Sequence, residues 1–151
     1  VFQERFWIIQ RGGWLALALF LAAAVAGLTG RNGPLSRAQA ETAQATIDYP
    51  RVSRWQMADE LRVQFETGAG QGDVLLPPTF LDMFEIERVA PQPRSVMATP
   101  RGDRYHFDLA VGAGPKVARF AIRPKAPSLD GRSHVLSISG APVSIAVTVM
   151  P

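Results

Sequence analysis

Cysteine is absent from this 151-residue chain. That one gap removes disulfides, thiolate metal sites, thiol nucleophiles and c-type haem attachment together. It does not fix a compartment. Histidine is nearly absent as well, with His106 and His134 the only two. Neither has a second histidine or a carboxylate cluster beside it in sequence. Both are therefore expected to be structural or surface residues, with no metal and no catalytic role. No serine stands in a G-x-S-x-G elbow. The glycine-rich stretch Gly68-Ala69-Gly70-Gln71-Gly72-Asp73 lacks the Gly-Lys-Ser/Thr that completes a phosphate loop, and it reads as a plain loop. Lysine is scarce: nearly all of the 16 basic residues are arginine, against 13 acids, for a net charge of +3. The basic residues are spread along the chain, which argues against a nucleic-acid partner. Abundant Arg and Ala read first as coding bias in a GC-rich bacterial genome.

Charge itself is missing from one long segment. Between Gly12 and Gly30 the chain reads GGWLALALFLAAAVAGLTG, with no ionisable side chain. At about 1.5 Å per residue, a helix of that length nearly matches a hydrocarbon core of about 30 Å. One transmembrane helix is the expectation. A secretory signal peptide is the competing reading, with Arg5 and Arg11 as n-region and Ala38-Gln39-Ala40 as cleavage site. The long apolar run, the ten-residue spacer after it and the charges Arg31 and Arg37 in that spacer favour a retained anchor. Trp7 and Trp14 mark an aromatic belt at the N-terminal interface, with Arg11 snorkelling outward. Arg5 and Arg11 before the helix balance Arg31 and Arg37 after it. Orientation then rests on the short N-terminal tail and the exported look of the downstream domain. The N-terminus is expected in the cytoplasm and the C-terminal domain in the periplasm.

Small residues recur every four positions along this run. Ala18, Ala22, Ala26 and Gly30 form one ladder, with Ala23 and Gly27 beside it. Such a stripe lets another backbone approach closely, so partner helices of integral membrane subunits are the functional reading. An Ala-rich anchor also generates such stripes by composition alone.

Three regions follow: residues 1–30 as tail and membrane helix, 31–45 as linker, and 46–151 as a β-domain. Asn32-Gly33-Pro34 is a helix stop. Ser36 to Ala45 is too weakly apolar for core and could be coil or a short helix. Beyond it, Leu61, Val63 and Phe65 alternate with Arg62, Gln64 and Glu66, the period of a half-buried strand. Similar alternation marks 46–49, 74–76, 117–122, 135–139 and 144–150. Phe80 to Val89 reads as a helical turn followed by a strand. Ser95–Thr99 and Arg104–Leu109 flank a hairpin turn at Pro100-Arg101-Gly102-Asp103, where the Arg-Gly-Asp tripeptide is turn chemistry. Asp82, Glu85 and Glu87 read as a solvated face. Seven or eight short strands in roughly 105 residues predict an antiparallel β-sandwich, immunoglobulin-like in shape, without the Cys–Trp–Cys marks of true immunoglobulin domains. Arg51, Arg54 and Trp55 follow the linker. The three could meet lipid headgroups or an acidic partner, with Trp55 as a membrane-interface anchor; otherwise Trp55 joins the sandwich core.

The segment FQERFWIIQRGGWLALALFLAAAVAGLTGRNGPLSRA carries an aromatic-Gln-Arg-x-Gly-Trp opening, a Leu-Thr-Gly exit and Gly-Pro-Leu-Ser. Together with Asp48-Tyr49-Pro50-Arg51, Ile86 to Pro93 and the terminal Pro151, it resembles a family of small single-pass proteobacterial inner-membrane proteins with a C-terminal β-domain. The resemblance implies a topology. It supplies no activity, cofactor or catalytic residue.

The expected function is therefore a non-enzymatic accessory subunit of a bacterial inner-membrane complex, respiratory or photosynthetic assemblies being examples. Its helix would pack on partner subunits in the bilayer, and the β-domain would cover the periplasmic face. No cofactor or metal is expected. The alternative is a membrane-anchored periplasmic module that binds an envelope ligand of unknown identity through loops such as 68–73 and 100–104.

Overall fold

Alternation dictates the strands of the C-terminal region. In β4 (Asp59–Phe65), Leu61, Val63 and Phe65 are buried while Arg62 and Gln64 are exposed. In β9 (Lys116–Pro124), Ala118, Phe120 and Ile122 point inward, and in β11 (Ala141–Met150) Val143, Ile145, Val147 and Val149 do the same. A period of two puts each set on one face of a sheet, where it can leave water together. The computed structural model describes residues 2–25, 36–66, 70–109 and 116–151. They fall into two compact units, Val1–Ser36 and Arg37–Pro151.

The second unit is all-β in its layers. Its first sheet contains β1 (Arg37–Glu41), β2 (Ala45–Pro50), β4, β9 and β6 (Phe84–Ala90), in the order β1-β2-β4-β9-β6 and antiparallel throughout. Its second sheet runs β3 (Val52–Arg54), β11, β10 (Ser128–Ile138), β5 (Gln71–Leu76), β8 (Gly102–Asp108), β7 (Ser95–Thr99). Here β3 lies parallel to β11 and the other pairs are antiparallel. The inner faces share one core. Phe120 sits at its centre, edge-on to Tyr105 at 5.2 Å and to Phe107 at 5.9 Å. A short helix, α2 (Pro78–Met83), starts with proline at its first turn and buries Phe80 and Met83.

Two glycines are demanded by packing. A Cβ on Gly102, which has φ +120°, would lie 2.0 Å from the Leu76 carbonyl oxygen, so the hairpin between β7 and β8 closes only with glycine there. The Gly of the Arg-Gly-Asp tripeptide is thus a turn residue. A Cβ on Gly72 would lie 2.6 Å from the Phe65 ring.

Three expectations need correction. First, the apolar run was expected to form a membrane helix inside residues 1–30. The structure has α1 over Phe2–Val25, and among the described residues no helix is long and apolar enough to cross a membrane. The physical reason is that α1 takes in Glu4, Arg5 and Arg11, and its uncharged part within the described residues, Gly12 to Val25, spans about 21 Å; the remainder of the run, residues 26–30, lies outside the described residues. Second, the stretch read as coil or short helix within the linker contains β1, paired with β2 from Arg37↔Pro50 to Glu41↔Thr46. Third, eleven strands form among the described residues where seven or eight were expected. The additions include β1 and β3, both short edge strands without an apolar stripe.

Candidate functional site

One end of the β-domain gathers features that the sequence scatters. The chain enters the domain at Arg37, and that side chain is held by two neighbouring strands, β2 and β4. Its Nε donates to Asp48 Oδ1 at 2.7 Å, its Nη2 donates to the Glu60 carbonyl at 2.9 Å, and Nη1 lies 3.6 Å from Asp59 Oδ1. The other Asp59 oxygen accepts from the buried Ser53 hydroxyl of β3 at 3.3 Å. From Ser53 the chain leads directly to Trp55, whose backbone N–H donates to the Met150 carbonyl at 2.7 Å. The Trp55 indole N–H donates to the Lys125 carbonyl at 3.2 Å. Met57 N–H closes a turn on the Arg54 carbonyl, with Gln56 between them at φ +63°, a conformation unusual for a residue with a side chain. Ser128 pairs with Val149 and brings Leu129 to the same end.

This end is apolar and basic at once. Trp55 is 42% exposed, Met57 46%, Leu129 67% and Met150 44%. Trp55 does not join the core, which removes that one of its readings from sequence. Arg51, Arg54, Lys125 and Arg132 are exposed around these residues, and the exposed acids near them include Asp82, Glu85 and Asp130. Lys125 anchors itself by donating from Nζ to the Leu81 carbonyl at 2.7 Å.

In the first unit, every described side chain from Gln10 to Ala22 is exposed, and Trp14, Leu15, Leu19 and Phe20 are each at least 65% exposed. Ala18 and Ala22 are among them. Ala23 belongs to α1, but its side chain, like Ala26, Gly27 and Gly30, lies outside the described residues. The Arg11 guanidinium stacks on the Trp7 ring, 3.5 Å from its centroid, a cation–π contact one helical turn apart.

The histidines part company. His134 is buried, with Nδ1 3.3 Å from the Thr79 hydroxyl, Nε2 3.3 Å from Met83 Sδ and its ring edge-on to Phe80. Burial, with Arg132 as a second cause, pushes its pKa down. His106 has no carboxylate cluster beside it in sequence, but the fold supplies one carboxylate: Asp73 is its cross-strand partner in β5, with Oδ1 2.5 Å from Nδ1. On its other side the register places Ser95 of β7. The carboxylate can hold the imidazole in one tautomer and leave Nε2 outward. Asp73 and Ser95 lie on an open sheet face, and a reacting group there would meet water. Burial first, then Asp103, raises the pKa of Tyr105, whose ring belongs to the core.

Asp82, Glu85 and Glu87 are exposed, and Glu87 pairs with Arg123 at 2.5 Å. At the opposite end of the domain from Arg37, an open recess of about 410 Å³ is lined by Thr42, Ala45, Thr46, Gln64, Phe65 and Glu66. Among the described residues, no group of three or more His, Asp or Glu side chains converges as a metal site. A scan against protein-family models and a search of curated protein sequences both find no match to the chain.

Sequence reasoning singled out Trp55, Arg51 and Arg54 but missed Met57, Leu129 and Met150. Met150 was reachable: the alternation that turns Ile145, Val147 and Val149 inward puts it on the outer face. Leu129 was not, because it lies in an irregular stretch where pairing shifts between Ser128 and Arg132.

Proposed function

We propose that this chain is a non-enzymatic accessory subunit of an inner-membrane protein complex. Its N-terminal apolar segment contacts lipid and the helices of partner subunits, and its β-domain lies on the periplasmic side, with the N-terminus cytoplasmic. The observation that carries this reading is α1, which is apolar around its whole circumference from Trp14 to Ala22 and has all of it exposed. A helix of that kind is stable only where its surroundings are apolar, in a bilayer or against other protein. The uncharged sequence continues to Gly30. The small residues Ala18 and Ala22 offer the close-approach face within it. The immunoglobulin-like shape belongs to the same proposal and is supported by two sheets around one core.

The test is fractionation followed by purification in mild detergent. The chain should stay with membranes through alkaline carbonate and elute from size exclusion with other membrane subunits. Ala18→Leu with Ala22→Leu should release it from them while leaving it in the membrane. Extraction by carbonate, or elution as a lone chain unaffected by those substitutions, would overturn the reading.

The envelope-binding alternative keeps one observation, the polar recess lined by Thr42, Thr46, Gln64 and Glu66. It predicts a ligand-dependent rise in melting temperature that Gln64→Ala abolishes.

A further inference from the structure

The proposed function leaves the basic, apolar end of the β-domain without a role. We infer that this end docks on the headgroup layer of an anionic phospholipid bilayer, with Trp55, Met57, Leu129 and Met150 entering the interface and Arg51, Arg54 and Lys125 meeting lipid phosphates. This rests on the membrane reading of the N-terminal segment.

Two observations carry it. The first is composition. Tryptophan and methionine beside arginine combine an apolar body with a charge that seeks phosphate, and that mixture suits the boundary between hydrocarbon and water. The second is charge complementarity. Arg51, Arg54, Lys125 and Arg132 are exposed at this end against Asp82, Glu85 and Asp130, while Asp59, which would add a fourth acid, is turned inward to Arg37 and Ser53. Arg51 and Arg54 take part in no ion pair among the described residues, so their charges are free for an external anion.

The presentation of the apolar side chains is built into the backbone. The turn closed by Met57 N–H on the Arg54 carbonyl holds Gln56 in a left-handed conformation and leaves Trp55 and Met57 on either side of it. The Trp55 indole N–H is anchored on the Lys125 carbonyl, which ties the aromatic ring to the basic residue next to it.

The chain has three tryptophans, which makes the test direct. The full chain carrying Trp7→Phe and Trp14→Phe leaves Trp55 as the only reporter. It is reconstituted in vesicles of phosphatidylcholine, or of phosphatidylcholine and phosphatidylglycerol in equal parts, each with lipid brominated near the headgroup. Trp55 emission should shift to the blue and be quenched in the phosphatidylglycerol vesicles, and high salt should reverse both. Arg51→Gln with Arg54→Gln should lower the docked-to-free ratio roughly thirtyfold. A companion chain with Trp14 as sole reporter tests the anchor separately. Trp14 quenched with Trp55 unquenched would overturn the docking and leave the membrane reading standing. Neither quenched, with the chain failing to float with vesicles, would overturn the membrane reading itself. Equal quenching of Trp55 in both lipids would overturn the role of the anionic headgroup. A blue shift that follows protein concentration without lipid would overturn lipid docking and assign the patch to a second copy of the chain.

Discussion

The helix α1 and the β-domain use the same apolar side chains in opposite ways. In the domain, Phe120, Phe107, Leu61 and Val147 are hidden behind strands that turn arginines, glutamines and serines outward. In α1, Leu15, Leu19 and Phe20 stand in the open with no polar face behind them. The domain makes its own apolar environment, because a period of two against a second sheet closes on itself. A lone helix has to find that environment elsewhere, and a uniformly apolar one needs it on every side. The two regions therefore answer to different experiments: melting reports on one, partitioning on the other.

The strongest way to separate them is Phe120→Ala. Emptying the centre of the aromatic cluster should cost about 3–5 kcal/mol of domain stability, read from chemical denaturation. It should leave membrane association unchanged. The reverse probe is Leu19→Arg, which places a charge in the middle of the apolar run at a cost of about 2.5–3.5 kcal/mol to insertion. Flotation with vesicles should fall sharply while the melting temperature of the β-domain holds. If Leu19→Arg lowers domain stability as much as Phe120→Ala, the separation of the two regions is wrong. A smaller effect belongs to the junction. Arg37→Ala should cost about 1–2 kcal/mol, since it strands two carboxylates and a carbonyl that now share one guanidinium. Hydrogen exchange should report it first in β1 and β2.

The smallest effect is a pH dependence confined to the domain. Burial holds the His134 pKa below that of an open chain, where it lies at about 6.5. The unfolded chain then takes up a proton that the folded one refuses. Stability is full above about pH 6.5 and falls as the pH drops from there toward the folded value. His134→Gln should flatten that slope in melting curves taken between about pH 7.5 and 5. A slope that survives the substitution would assign it to other groups.

What was legible in the sequence followed the strength of the local pattern. β4, β9 and β11 could be read from alternation, a helical turn beginning at Phe80 from the spacing of Phe80, Leu81 and Phe84, and the β7–β8 hairpin from Pro100 and Gly102. β1 could not. Its Ala38 and Ala40 are only partly buried, and its place is secured by pairing with β2 and by the Arg37 side chain, both of which depend on residues far along the chain. β3 is three residues long and parallel to a strand nearly a hundred positions later. The same limit governs the candidate sites. Trp55 and its arginines were visible because they are adjacent in sequence. The Asp73–His106 pair and the company of Leu129 and Met150 needed the register of β5 on β8 and of β10 on β11.

The Arg37 side chain has a mechanical meaning. It sits at the first residue of the first strand, where any tug along the lead from the N-terminal segment is delivered. β1 lies at the edge of its sheet and pairs with β2 alone, so such a pull would peel it rung by rung, starting at Arg37↔Pro50. The guanidinium grips β2 through Asp48 and β4 through Glu60, past the strand that would peel. It acts as a latch at the head of a zipper: while it holds, the pull is spread over three strands, and once it lets go, β1 can open while the core behind it stays shut.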